Sequence, residues 1–182
     1  MVVLQFAWGG GPNNVHLPHM HYENAFCYVG THDNETAAGW WADGGAGARD
    51  RAYLESYLGE AAAADVPGAF LRAAMASVAR TSIVMMQDVL RLGNEARMNT
   101  PGRAEGNWAW RVTAAAAAGG AGAGAGGAGG AAGGADKVGA VWRTYAAEAR
   151  ELRALAHVYD RLPQGARYEE PVEQKKEKEA EV

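Results

Sequence analysis

A single cysteine, Cys27, is the only thiol in this 182-residue chain. It excludes an internal disulfide, fits a reducing compartment and reads as a small buried hydrophobe. Basic charge is also scarce. Seventeen Lys and Arg stand against 21 Asp and Glu, for a formal net charge of -4. No basic face emerges from the order of residues, so a nucleic-acid or anionic-membrane partner has no electrostatic support. No run approaches the roughly 20 apolar residues of a membrane span. The opening Met1-Val2-Val3-Leu4-Gln5-Phe6-Ala7-Trp8 has neither the basic-then-apolar order of a secretory signal nor the Arg and Ser of a transit peptide. A soluble chain is expected, with no nucleic acid and no membrane. Bulky side chains are missing altogether from residues 114–135, which hold only alanine and ten glycines. That segment is expected to be a disordered insertion, and with no strict repeat it does not suit a sheet-stacking role.

The rest of the chain carries periodic signals. Val2 to Trp8 is an unalternated apolar run closed by Gly9-Gly10-Gly11-Pro12-Asn13-Asn14, the pattern of a buried strand and turn. Ala25–Val29 and Ser82–Met86 read the same way. Ala48–Leu58 looks helical, with Tyr53, Leu54, Tyr57 and Leu58 on one face. After Pro67 the spacing of Phe70, Leu71, Ala74, Met75 and Val78 predicts a clearer helix. Strand, helix, strand with apolar strands implies α/β architecture with parallel pairing. Gly93 is placed as a C-cap for the short helix that Asp88–Leu92 suggests. Val141, Trp142, Tyr145, Ala149, Leu152, Leu155, Tyr159 and Leu162 form one helical stripe, and Glu169–Val182 is a charged, fraying terminus. Three parallel strands with two open edges need further strands to cover them.

Polar motifs stand where strands end. Gly30-Thr31-His32-Asp33-Asn34-Glu35-Thr36-Ala37-Ala38-Gly39-Trp40-Trp41 follows the second strand, which is how a barrel strand presents a carboxylate at its C-terminal mouth. Gln87-Asp88-Val89-Leu90, Ala96-Arg97-Met98-Asn99-Thr100-Pro101-Gly102 and Gly106-Asn107-Trp108-Ala109-Trp110-Arg111 come later, in that order. With these motifs the chain resembles the C-terminal third of 4-alpha-glucanotransferases of the disproportionating-enzyme or amylomaltase type, glycoside hydrolase family 77. The resemblance covers about residues 2–112 by motif and 137–162 by helical pattern.

The resemblance implies an α/β fold that is the C-terminal part of a (β/α)8 TIM barrel, the three strands being the sixth, seventh and eighth. On that basis 1–113 is a partial catalytic barrel, 114–135 an insertion, 136–163 the C-terminal barrel helix and 164–182 a flexible tail. It implies transfer of 1,4-alpha-glucan segments to the 4-hydroxyl of a glucan or glucose by a retaining mechanism, without metal or cofactor. Starch glucans and maltooligosaccharides are the implied substrates, and plastid and cytoplasm are the implied locations. Asp33 matches the carboxylate that supports an oxocarbenium-like transition state, and His32 the histidine that binds the sugar beside it. Retaining transfer needs a nucleophile and an acid/base roughly 5–5.5 Å apart, and in this family both lie on the fourth and fifth strands. The alternative is therefore a catalytically inactive remnant that at most contacts glucan.

Asn34, Gln87, Arg97 and Asn99 are candidate substrate-binding groups on the rim. The same polar groups suit a hydrogen-bond network bracing the loop, and a His-Asp pair can also simply order a turn. Trp40, Trp41, Trp108 and Trp110 are expected mostly in the core. The spacing His16-Leu17-Pro18-His19-Met20-His21 could face zinc, but no further ligand completes a tetrahedral site. The segment is expected to be a loop at the cleft. Met85-Met86 stands where the family has proline, a change flexible methionines tolerate.

Overall fold

The computed structural model describes residues 1–112 and 145–162. The expected Ala/Gly insertion, the start of the stripe at Val141 and Trp142, and the charged tail lie outside them.

Three short strands, β1 (Val2–Val3), β2 (Phe26–Tyr28) and β3 (Thr81–Ile83), form one parallel sheet in the order β1-β2-β3. The architecture is α/β, as the apolar runs predict. Register sets Val2 beside Cys27 and Cys27 beside Ser82. This row faces the helices: Cys27 is fully buried, and Ser82 Oγ donates to the Ala74 carbonyl at 2.5 Å. The alternate row, Phe26 with Thr81 and Tyr28 with Ile83, points the other way. Phe26 there is 52% exposed.

The ladders are shorter than expected. Val2 to Trp8 does not continue as a strand: the chain tightens into a 3₁₀ turn at Leu4–Phe6 once Gln5 N has donated to Val29 O at 3.1 Å. That turn sends Trp8 into the helix layer, where it stacks on Phe70 with centroids 5.5 Å apart. Ser82–Met86 is corrected likewise, because the chain leaves the sheet after Ile83 and turns into α4 (Met86–Val89).

Between β2 and β3 run α1 (Ala37–Ala42), α2 (Ala48–Leu58) and α3 (Val66–Ala76). The expected α2 face is correct: Leu54 is buried, and Tyr53, Tyr57 and Leu58 pack on the core. In α3, Asp65 caps the start by accepting from Gly68 N at 3.0 Å, and Pro67 occupies the first turn, where its missing N–H costs nothing. Phe70, Leu71, Ala74 and Met75 are buried. Val78 is not part of this stripe, for the helix has ended and its side chain is 62% exposed. Gly93 is not a helix C-cap either. Leu90 closes α4, and Gly93 has extended backbone before a 3₁₀ turn at Asn94–Ala96.

The last helix, α5 (Ala146–Val158), packs on α3 through Leu155. Arg91 ties it down, with one guanidinium nitrogen 3.0 Å from Asp65 and 2.6 Å from Glu151. Just past α5, Arg161 donates to the carbonyls of Met75 and Ser77 at the end of α3 and of Ala79 in the turn that follows.

The histidine segment is not at the cleft. It crosses from the end of β1 to the start of β2 over the helix layer, and each imidazole is engaged there. His16 Nδ1 accepts from Val3 N at 3.0 Å. His19 lies 2.8 Å from the Tyr57 hydroxyl and 2.9 Å from the Pro12 carbonyl. His21 bridges Ser77 Oγ at 2.7 Å and His16 O at 3.0 Å. Ser77 precedes β3, so this is the end of the sheet opposite His32 and Asp33. Among the described residues no three His, Cys, Asp or Glu side chains group to hold a metal ion, and no helix is long and apolar enough to cross a membrane.

Candidate functional site

The C-terminal end of β2 runs into a tight turn at Thr31–Asn34. Asn34 N donates to Thr31 O at 3.1 Å, and Asn34 Oδ1 accepts from Thr31 N at 2.9 Å and Thr31 Oγ1 at 2.7 Å. Asn34 therefore shapes the turn with the oxygen it might have offered a ligand. The turn lifts His32 and Asp33 into solvent, their side chains 51% and 52% exposed and 3.3 Å apart at Nε2 and Oδ1. Thr36 then starts α1 by accepting from Gly39 N at 3.0 Å.

The loop after α4 meets this turn from the other side. Asn99 Nδ2 donates to Asp33 Oδ1 at 2.6 Å, and Asn99 N donates to His32 O at 3.1 Å. Arg97 donates to Asp33 O at 3.0 Å and to its own loop at Asn99 O at 3.3 Å. Both residues clamp the turn, Arg97 through backbone and Asn99 through the carboxylate itself. Farther along, Asn107 accepts from Thr100 N at 2.8 Å and donates to Arg103 O at 2.9 Å, closing a loop whose bends fall at Gly102 (φ 80°) and Gly106 (φ 81°). The closure places Trp108 against His32, ring centroids 5.1 Å apart, with Trp108 N donating to Met98 O at 2.7 Å.

The structure brings His32, Asp33, Asn34, Arg97 and Asn99 together at one place, whereas Gln87 takes the other role expected of it, bracing the loop. It is 3% exposed and donates to Ala96 O at 3.1 Å, beneath the rim rather than on it. Trp40 and Trp41 pack in or on the core as expected, whereas Trp108 is 54% exposed beside His32. Asp88 is the polar residue the motif reading passed over. It is 2% exposed, its Oδ1 accepts from Ala37 N at 2.7 Å, and burial pushes its carboxyl up to about 6 against a backbone hydrogen bond that pulls it down. Between turn and α4 remains a cavity of about 10 Å³ lined by Thr31, Glu35, Gln87 and Asp88, room for a single water. A larger cleft of about 540 Å³ lies in the helix layer among Tyr57, Arg72, Leu155 and Tyr159, and contains none of the expected site residues.

An exposed carboxylate with one oxygen fixed by an amide, an imidazole beside it and an indole face alongside can accept hydrogen bonds from vicinal hydroxyls while an apolar ring face packs on the aromatic. Two other carboxylates of the region are otherwise engaged. Glu35 accepts from Asn94 at 2.9 Å, and Asp88 is buried under the turn.

The family model for 4-alpha-glucanotransferase, glycoside hydrolase family 77, matches residues 1–116. The chloroplastic/amyloplastic 4-alpha-glucanotransferase of Oryza sativa subsp. japonica is 47% identical over 117 residues, 64% of this chain and 19% of that protein. The 4-alpha-glucanotransferase of Thermus thermophilus is 44% identical over 119 residues, 62% of this chain and 23% of that protein. Among solved structures, the amylomaltase from Streptococcus agalactiae in complex with acarbose superposes with a TM-score of 0.66 at 26% identity, over 90% of this chain and 27% of that one. The chain spans about a fifth of the length of the curated relatives it matches. It belongs to the 4-alpha-glucanotransferase family, glycoside hydrolase family 77.

Proposed function

We propose that this chain supplies the part of a 4-alpha-glucanotransferase that holds a glucose ring of the donor through the reaction. The observation that carries the reading is the Asp33 carboxylate at the end of a parallel strand, held through Oδ1 by Asn99 at 2.6 Å and left half exposed beside His32. A preorganised carboxylate accepts hydrogen bonds from ring hydroxyls, and these bonds strengthen as the sugar becomes positively charged. His32 donates to or accepts from the same ring, Asn99 and Arg97 fix the carboxylate's direction, Asn34 shapes the turn, and Trp108 offers a packing face.

In this reading β1, β2 and β3 are strands six, seven and eight of the barrel, residues 1–113 the barrel segment, 114–135 an insertion, 136–163 its last helix and 164–182 a tail. The whole reaction is retaining transfer of a 1,4-alpha-glucan segment to a 4-hydroxyl, in plastid or cytoplasm, with no cofactor. Its nucleophile and acid/base come from strands four and five. The engagement of Glu35 and Asp88 elsewhere supports the second reading, in which this chain alone contacts glucan without transferring it.

Titration of the chain with acarbose and with maltoheptaose, followed by nuclear magnetic resonance of the His32 and Trp108 side chains, tests the reading. Saturable shifts that Asp33→Asn weakens are expected. Absence of any shift at these residues with the chain folded would defeat it.

A further inference from the structure

Two loops make the candidate site, one after β2 carrying His32 and Asp33 and one after α4 carrying Arg97 and Asn99. Consecutive buried side chains of α4 hold them both. Gln87 Nε2 donates to Ala96 O at 3.1 Å, immediately before Arg97. Asp88 Oδ1 accepts from Ala37 N at 2.7 Å, where the His32–Asp33 loop passes into α1. Gln87 and Asp88 are 3% and 2% exposed and so lie out of reach of a sugar on the rim. Gln5 braces the same loop from the end of β1, donating to Glu35 O at 3.0 Å. The reach from Asn99 to Asp33 depends on where both loops stand relative to α4.

We propose that the Gln87–Asp88 pair is a positioning device, a spacer that sets the two site loops against each other and so aims the Asp33 carboxylate without touching substrate. The proposal rests on the reading of Asp33 as the sugar-contacting carboxylate. A displacement of about 1 Å at a reacting centre is worth up to ~100-fold in rate, so loosening either member is felt at the rim.

The test uses the full chain and the variants Asp88→Ala, Asp88→Asn and Gln87→Ala, with acarbose as the probe. Two quantities are read: acarbose affinity, and hydrogen exchange of the Asn99 amide, which bridges the loops by donating to His32 O. Asp88→Ala and Gln87→Ala are each expected to weaken acarbose by about tenfold or more and to speed exchange at Asn99 while amides in α3 stay protected. Asp88→Asn, which restores an acceptor for Ala37 N, is expected to recover most of both. Should Asp88→Ala fail to fold, Gln87→Ala, which strands no buried charge, decides by the same two readings. Should the unaltered chain bind no acarbose, the proposed function falls while the Asn99 amide alone still decides the spacer. Folded alanine variants that keep native affinity and a protected Asn99 amide would overturn it.

Discussion

Replacing Asp88 by asparagine separates the cost of a buried charge from the geometry it maintains. Burial lifts this carboxyl from its ordinary 3.8 to about 6, a difference worth about 3 kcal/mol between the two protonation states. An acid whose folded value lies above its unfolded value keeps its proton in the fold after the unfolded chain has lost it. The folded state therefore binds more protons between about pH 4 and 6, and stability falls as pH rises through that window. Below about pH 4 the penalty is absent, and above about pH 6 it is complete. His16 and His21 act in the opposite sense. Burial lowers both, so the unfolded chain takes up protons first as pH falls, and their contribution to stability grows as pH rises. The wild-type curve mixes these effects, whereas the difference between wild type and Asp88→Asn isolates the carboxylate. Asparagine keeps an oxygen for Ala37 N. Urea unfolding of both proteins between pH 4 and 8 is expected to give equal stabilities near pH 4 and an advantage to the variant of about 3 kcal/mol by pH 7, the hydrogen bond from Ala37 N being already part of the net shift. Parallel curves across the range, or a variant less stable at pH 7, would mean that Asp88 is not held as a penalised buried carboxylate.

Three further outcomes follow from packing and hydrogen bonding. A Cβ on Gly39 would stand 2.3 Å from the Asn94 side chain. Gly39→Ala should push Asn94 away from Glu35 and Asp43 at a cost of about 2–3 kcal/mol, measured by urea unfolding. Arg161→Ala strips donors from the Met75, Ser77 and Ala79 carbonyls and is expected to cost about 3 kcal/mol, read as a lowered unfolding temperature and faster hydrogen exchange in α5. Trp108→Ala removes the half-exposed indole beside His32; acarbose affinity should drop about tenfold while unfolding free energy stays within about 0.5 kcal/mol.

The parts of the fold legible in sequence are those written in repeating side chains. The faces of α2 and α3 follow from helical spacing, and parallel pairing follows from apolar runs that do not alternate. Lengths were less legible, because an apolar run cannot say where a strand becomes a 3₁₀ turn: Leu4 and Trp8 are as buried as Val2 and Val3, yet only the latter two sit in the ladder. The short helix α1 carries a signal in Thr36, a good N-cap before Ala37 and Ala38. At the site, motif order located His32, Asp33, Arg97 and Asn99, whose geometry is set by local turns. It left Gln87 open between the rim and a brace for the loop and passed over Asp88, because which side of a loop a polar residue faces depends on neighbours far along the chain. The histidine triplet shows the same limit. Its partners Val3 in β1, Tyr57 in α2 and Ser77 just past α3 are far apart in the chain, and no local spacing foretells them.

Grafting residues 1–112 into the Thermus thermophilus 4-alpha-glucanotransferase in place of the matching segment, and measuring disproportionation of maltotriose, tests whether Asp33 acts on the sugar. An active chimera is expected, its turnover lost on Asp33→Asn while the protein remains folded. A folded chimera without transfer activity, or one that Asp33→Asn leaves fully active, would contradict the assignment of Asp33 to the sugar.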